Sequence, residues 1–279
     1  MHIVCCIKQV PDTAQVKIDP ETNTLIRSGV ESICNPYDLV AVETAVQLTE
    51  KHGGKVTVIS MGPPQAETAL RDCLALGAAE AILLSDRAFA GADTLATSYT
   101  LARTIAKISS AEPVDLVICG KQAIDGDTAQ TGPGIATRLG YSQFTYVAEI
   151  IGLDTEKRTI KVRREAEEGS EIIEGSLPAL LTVELELATA RYASLPHLVC
   201  ALRQEVKVWG AAEIEGAPEH LGLKGSPTSV KEIFAPPVRK GGVVFDGSEN
   251  QGKAAEEFLN ALFTKEPHLL DELLSDRKG

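Results

Sequence analysis

The sequence predicts an α/β fold: a doubly wound, mostly parallel sheet with antiparallel additions and an extended C-terminal arm. Three observations carry this prediction. Short runs at residues 2–7, 55–60, 81–84 and 114–119 are rich in Val, Ile and Leu throughout instead of alternating, as strands buried on both faces require. Segments of crossover-helix length lie between them, at 37–52, 65–76 and 94–109. After about residue 140 the pattern changes to closely spaced strand-like runs, and beyond Ala188 it loses regularity.

Each element has its own punctuation. The first strand is followed by an alternating stretch, 16–27, around Asp19-Pro20-Glu21-Thr22-Asn23, which predicts a small hairpin. Asn35 and Pro36 supply a cap and a first residue for the helix over 37–52, and Gly53-Gly54 ends it. Met61-Gly62-Pro63-Pro64 separates the next strand from the helix over 65–76, which Gly77 closes. Asp93 caps the helix over 94–109. Strands are predicted at 144–151, 159–164, 171–174 and 179–187, with a turn at Glu167-Glu168-Gly169-Ser170, all extending the sheet in antiparallel fashion. The stretch 210–252 is rich in Gly and Pro and has little apolar periodicity. So long an irregular segment is improbable inside one core and is expected to run over a partner's surface. A short amphipathic helix follows at 254–263, with Phe258, Leu259 and Leu262 on one side. The expected division is a core over 1–190 and an appendage over 191–279.

Bulk properties exclude several classes. With a net charge of −12 and a pI near 5.0 there is no basic footprint for nucleic acid or an anionic membrane. Aromatic residues make up only 4%, too few for base-stacking platforms. No apolar run reaches the length of a membrane span, and the N-terminus has the look of a first strand rather than a signal peptide. Cys5, Cys6, Cys34, Cys73, Cys119 and Cys200 form no Cys-x-x-Cys pair. They suggest small buried hydrophobes in a reducing compartment, with the cytoplasm expected.

In an open α/β sheet, ligands bind beyond the carboxyl ends of the strands. The stretch from Gly120 to Pro133 leaves a buried strand, carries several small residues and enters a helix expected over 134–139. N–H groups at such a helix start make an anion site, and Gly120, Gly126 and Gly132 would let a phosphate approach the main chain. Asp127 and Gln130 have capping-box spacing. An interior Pro133 is costly, so the regular helix is expected to begin only near Gly132. A well-capped connection without ligand is the plainer alternative. No Gly-x-Gly-x-x-Gly follows the first strand, and no Walker lysine loop or metal-ligand spacing is present. An ATP-using ligase or pyrophosphatase would need a Ser-Gly-Gly-type loop where Lys8-Gln9-Val10-Pro11 stands.

Four stretches in order resemble the electron-transfer flavoprotein beta subunits, and the likeness covers nearly the whole chain. They are Lys8-Gln9-Val10-Pro11-Asp12, Asn35-Pro36-Tyr37-Asp38 followed by Ala41-Val42-Glu43, Gly120-Lys121-Gln122-Ala123-Ile124-Asp125, and Arg191-Tyr192-Ala193-Ser194-Leu195-Pro196. The resemblance implies an adenine-nucleotide-binding fold and a companion alpha subunit, which the C-terminal arm wraps. It implies a nucleotide site formed by Cys6, Asn35, Pro36, Tyr37, Asp38 and Met61. To these it adds the loop of Gly120, Lys121, Gln122, Ala123, Ile124, Asp125, Gly126, Asp127, Thr128, Ala129, Gln130 and Thr131. It also implies a loop that docks an acyl-CoA or hydroxy-acid dehydrogenase through Tyr192, Leu195 and Pro196. Without the resemblance, Leu195 suggests a loop leucine tucked into the core.

One branch of that family carries a structural AMP in this site. The electron-bifurcating branch carries FAD, which takes hydride from NADH. One electron goes to ferredoxin or flavodoxin, the other through a second FAD on the alpha subunit to the dehydrogenase. The run Asp125-Gly126-Asp127-Thr128-Ala129-Gln130 with Gly132-Pro133 resembles the bifurcating branch, as does Leu223-Lys224-Gly225-Ser226-Pro227-Thr228. Members with AMP tend to have a larger residue where Gly126 stands. The stretch Tyr192-Ala193-Ser194-Leu195-Pro196 is similar to members with AMP instead. FAD is therefore the expected beta-site group and AMP the alternative. No catalytic side chain is expected, because a flavin carries its own redox chemistry.

Overall fold

The computed structural model describes residues 1–12, 17–18, 25–26, 31–231, 242–248 and 250–269. The N-terminal third holds β1 (His2–Cys6), β2 (Gln9–Pro11), β3 (Lys17–Ile18), β4 (Leu25–Ile26), β5 (Ser32–Cys34), α1 (Pro36–His52) and β6 (Lys55–Met61). Next come α2 (Glu67–Leu76), β7 (Glu80–Leu84), α3 (Thr94–Ala111), β8 (Leu116–Gly120) and α4 (Thr131–Leu139). Then follow β9 (Ser142–Asp154), β10 (Thr159–Ala166), β11 (Gly169–Ser176), β12 (Ala179–Val183), α5 (Leu195–Arg203), β13 (Val206–Trp209) and α6 (Gln251–Lys265).

A nine-stranded sheet, ordered β11-β10-β9-β12-β8-β1-β6-β7-β13, confirms the doubly wound, mostly parallel α/β class. Its central strands are mostly apolar because both faces are covered. Ile3 and Cys5 join residues of α1 and α2 in one buried cluster. Val4 and Cys6 join residues of α3 and α4 in the other. Ile105 and Leu116 are fully buried, and truncating either to Ala would cost about 2–5 kcal/mol. Asp93 caps α3 as expected, its side chain accepting from the Leu95 and Ala96 N–H groups.

Several expectations are corrected. The strands after residue 140 are not all antiparallel: β12 pairs parallel with both β8 and β9, and only the β9–β10 and β10–β11 pairs are antiparallel. The chain runs out through β9, β10 and β11 and returns to slot β12 between β8 and β9. β12, Ala-Leu-Leu-Thr-Val, is buried on both faces, which is why it lacks alternation. Residues 185–187, expected to continue that strand, form a 3₁₀ turn. The alternating stretch at 16–27 is described only at β3 and β4, which pair antiparallel; its expected turn lies outside the described residues.

The larger correction concerns the region after Ala188. It contains α5 and the edge strand β13, which pairs parallel with β7. The stretch 211–228 then packs on the chain's own core. Ile214 and Leu221 are buried there, the Leu223 N–H donates to the Ala90 carbonyl, and the Ala217 N–H donates to the Tyr99 hydroxyl. A few well-placed apolar residues and many turn hydrogen bonds hold it, which is why periodicity misses it. One compact unit accordingly spans Met1–Ile233, well past residue 190, and a second spans Phe234–Gly279. In the second unit, α6 is capped by the Asn250 side chain, and Phe245 meets Phe258 edge-on at 5.8 Å. Val243, Val244, Phe258 and Leu259 are exposed.

Candidate functional site

β1 and β8 lie side by side at the centre of the sheet, and the chain leaves them towards opposite faces, into α1 and α4. Such a point is where an open parallel sheet splits to form a crevice. A cleft of about 910 Å³ opens there. Of the residues singled out from the sequence, Cys6, Asn35, Asp38, Met61, Gly120, Lys121, Gln122 and Ala123 line it, as do Gly126, Asp127, Thr128, Ala129, Gln130 and Thr131. Pro36, Tyr37, Ile124 and Asp125 are not part of that lining.

The start of α1 braces the cleft. Asn35 stands at the N-cap position but makes no capping bond. Its amide nitrogen donates to the Gln122 carbonyl at 2.9 Å, and its oxygen accepts the Ile124 N–H at 3.2 Å. Asp38, buried in the first turn, accepts the Lys8 N–H at 2.8 Å and the Gly120 N–H at 3.0 Å. Burial pushes the Asp38 carboxyl up to about 7, against the opposing pull of these hydrogen bonds. A Cβ on Gly120 would lie 2.5 Å from both Asp38 Oδ1 and Tyr37 Cβ, so this glycine admits α1 rather than a phosphate. The Lys8 ammonium holds both Asp125 oxygens at 2.7 Å, tying the end of β1 to the loop after β8.

That loop is built differently. The Gly126 and Asp127 N–H groups both turn back to the Ala123 carbonyl, and Asp127 and Ala129 follow in the left-handed region, at φ 49° and 53°. Non-glycine residues there are uncommon and cluster at ligand sites. No capping box forms: Asp127 accepts from the Gln122 side chain at 2.8 Å, and Gln130 accepts from the Thr94 hydroxyl at 2.8 Å. The helix begins at Thr131, earlier than expected, because Pro133 falls in the first turn, where an N–H has no intrahelical partner to lose. Gly132 serves packing, since its Cβ would lie 2.5 Å from Thr182 Cγ2. Only Gly126 of the three glycines has nothing within 4 Å of its Cβ position.

One wall was missed from the sequence. The start of α3 contributes Asp93, Thr94, Leu95 and Ser98, and the stretch after Gly225 contributes Pro227, Thr228 and Val230. Asp93 joins the two: besides capping α3, its second oxygen accepts the Thr228 N–H at 3.2 Å and hydroxyl at 3.0 Å. Burial raises the Asp93 carboxyl, but its hydrogen bonds from Ala96, Thr228 and Leu95 outweigh that and hold it below the ordinary value. The signal was the pair Gly222 and Gly225: a Cβ on Gly222 would meet the Ala88 carbonyl oxygen, and one on Gly225 the His220 backbone. The cleft's cations are already paired, Lys8 with Asp125 and Lys121 with Glu184 at 2.8 Å. A nucleotide phosphate in this cleft would therefore meet backbone N–H groups at the start of α4 more than free charge. Open space at Gly126 and an unspent helix start fit such a group.

Tyr192, Leu195 and Pro196 lie elsewhere. Arg191 anchors them, its guanidinium bonding Glu43 and Glu50 of α1. Leu195 and Pro196 form the first turn of α5 instead of a loop, capped by Ser194. Arg71 of α2 donates to the carbonyls of Ala201, Leu202 and Gln204 at the other end. Leu195 is 74% exposed and Tyr192 fully so, which excludes the reading that tucks Leu195 into the core. Leu198 and Leu202 continue the exposed row one and two turns on.

Comparison with known proteins decides the family. Residues 22–213 match the family described as "Electron transfer flavoprotein domain". The chain is 52% identical over 277 residues to "Protein FixA" of Azotobacter vinelandii, covering 98% of each. It is 49% identical over 282 residues to "Protein FixA" of Sinorhizobium fredii, covering 99% of each. It is also 52% identical over 246 residues to "Electron transfer flavoprotein subunit beta" of Clostridium acetobutylicum, covering 88% of this chain and 92% of the other.

The chain belongs to the electron transfer flavoprotein family, on its beta-subunit side.

Its work is electron transfer beside an alpha subunit. In this electron transfer flavoprotein subunit the cleft at β1 and β8 and the face of α5 are separate surfaces of one unit, Met1–Ile233. No helix among the described residues is long and apolar enough to cross a membrane.

Proposed function

We propose that this beta subunit holds FAD in the cleft and serves an electron-bifurcating flavoprotein. In that reading NADH is the donor, ferredoxin or flavodoxin one acceptor, and an acyl-CoA or hydroxy-acid dehydrogenase the other. The dehydrogenase is reached through a second FAD on the alpha subunit, and the complex works in the cytoplasm. The observation that carries the choice of FAD is the open space at Gly126, where nothing lies within 4 Å of the Cβ position. It sits in a cleft of about 910 Å³, near the upper end of the roughly 300–1,000 Å³ range for small-molecule sites.

The chain's own residues bind and orient. The start of α4 presents N–H donors to a diphosphate, with the helix dipole behind them. Met61, Leu101 and Ile135 supply apolar lining. Asn35 fixes the loop by gripping it at Gln122 and Ile124. A flavin supplies two-electron acceptance and one-electron release, while the protein sets its position and the dipoles around it. Gly126→Asp should lower flavin occupancy of the beta site while the heterodimer still assembles, measured by flavin content after gel filtration. Unchanged flavin content in that variant would remove the main reason for preferring FAD to AMP.

A further inference from the structure

The ladder between β1 and β8 stops at the pair Cys6 and Cys119. Just beyond it the two strands part, and the side chain of Asp38 spans the fork. One of its oxygens takes the N–H of Lys8, past the end of β1, and the other takes the N–H of Gly120, the last residue of β8. Gly120 begins the loop that runs to α4. Asp38 thus does for the parting strands what a ladder carbonyl does before they part.

We propose that Asp38 is a positioning residue for the nucleotide: its carboxylate clasps the ends of β1 and β8, and protonation opens the clasp and weakens binding. The inference rests on the nucleotide reading of the cleft. A carboxylate offers a charged acceptor to both N–H groups. A protonated acid keeps its carbonyl acceptor but leaves the other N–H facing a neutral hydroxyl oxygen, which loses the charge-assisted bond and is a much poorer acceptor. The proton equilibrium falls in the neutral range because burial holds the carboxyl up, to about 7. The groups facing Asp38 are the thiols of Cys5 and Cys6 on β1, Cys34 on β5 and Cys119 on β8, with the Lys8 ammonium. Burial raises the thiols of Cys5, Cys6 and Cys119, and a bond to Cys73 together with burial raises Cys34. None of these thiols ionises between pH 6 and 8, so a change of binding over that range that Asp38→Asn abolishes reports Asp38.

FAD is the probe, because its diphosphate bridge has no group that titrates between pH 6 and 8. The full-length chain is titrated with FAD by flavin fluorescence at steps across that range, and amide exchange is followed at Lys8 and Gly120. If only the clasped form binds, affinity falls about tenfold from pH 8 to pH 6, by the fraction of chain that is competent. Protection of the Lys8 and Gly120 amides falls over the same range. Asp38→Asn keeps the shape but one acceptor, and should bind about tenfold more weakly at pH 8 with a flat profile. FAD binding in the unaltered chain that is equally tight at pH 6 and 8 overturns the inference, whether or not the variant folds, and leaves the cleft reading standing. An Asn variant that matches the unaltered chain in affinity and profile also overturns it. Binding of neither FAD nor AMP at any pH contradicts the cleft reading itself, and this inference with it.

Discussion

Two helix starts meet at the cleft, and they are used in opposite ways. At the start of α1, the side chains of Asn35 and Asp38 make four hydrogen bonds to the backbone of the chain itself, and Gly120 gives up its side chain to let that turn in close. At the approach to α4, Gly126 faces open space, and two residues hold left-handed backbone on the way to an uncapped helix start. The first start is scaffold, with its polar groups satisfied. The second leaves its donors for something else. Polar groups near a cleft divide in this way into those that hold it and those that serve it, and only their partners tell which is which.

Of the changes that act on the two helix starts, a change of pH has the largest expected effect. Asp38 has its folded value raised, from 3.8 to about 7, so the folded chain holds this proton more tightly than the unfolded one. Its ionisation therefore costs stability as pH rises from about 4 to 7, on the order of a few kcal/mol at most. The carboxyls of Glu43 and Glu80 run the other way. Burial opposes the bonds Arg191 and Gln47 make to Glu43, and the bonds from Lys55 and Lys207 outweigh burial at Glu80. Both are held low and lose their contribution as pH falls below the ordinary carboxylate range. Urea unfolding of the chain minus that of Asp38→Asn isolates the first effect: the difference should move against the unaltered chain between pH 5 and 7. A difference that is flat in pH would mean that Asp38 is not the group titrating. Stability and nucleotide binding then pull apart at neutral pH, since the clasp is complete in the form that burial disfavours.

Glycine exchange comes next. Gly120→Ala forces a Cβ to within 2.5 Å of Tyr37 Cβ, and should cost about 1–3 kcal/mol of overpacking. Gly126→Ala should stay within about 0.5 kcal/mol and act on flavin binding instead. Equal losses of stability in the two variants would erase the distinction between scaffold and open loop. Asn35→Ala strands the Gln122 carbonyl and the Ile124 N–H and should cost roughly 1–2 kcal/mol, with faster amide exchange from Gly120 to Gln130. Normal exchange there would mean the loop holds itself.

Leu195→Ala should have the smallest effect on the fold, because the side chain is exposed. We expect it to slow electron delivery to the dehydrogenase, by roughly thirtyfold in docking affinity if Leu195 is a hot spot worth about 2 kcal/mol. NADH oxidation with a dye that accepts directly from the flavin should be unchanged. Equal losses in both assays would assign Leu195 to the fold or the flavin site.

Much of this was legible in the sequence, for reasons that depend on the kind of signal. The central strands showed because burial on both faces leaves no polar position in Ile3-Val4-Cys5 or Val117-Ile118-Cys119. Asp93 showed because a capping residue acts on the next three positions. The parallel entry of β12 did not, since strand direction is set by where the chain has been, not by the five residues themselves. α5 was hidden because its apolar row, Leu195, Leu198 and Leu202, faces outward, and only Ala201 is buried. The wall at Thr228 was hidden because it is held by the remote Asp93 and by glycines that matter only when Ala88, Ala90 and His220 are already in place. The loop from Gly120 was found from its small residues, but they gave no sign that only Gly126 opens outward.

A flavin in the cleft between β1 and β8 can be counted. The most direct test is to purify the subunit with its alpha partner, denature the complex, and count released FAD and AMP against protein. Two FAD and no AMP per heterodimer are expected. One FAD and one AMP would contradict a flavin in the cleft, and would make the open space at Gly126 a feature of a site that carries AMP.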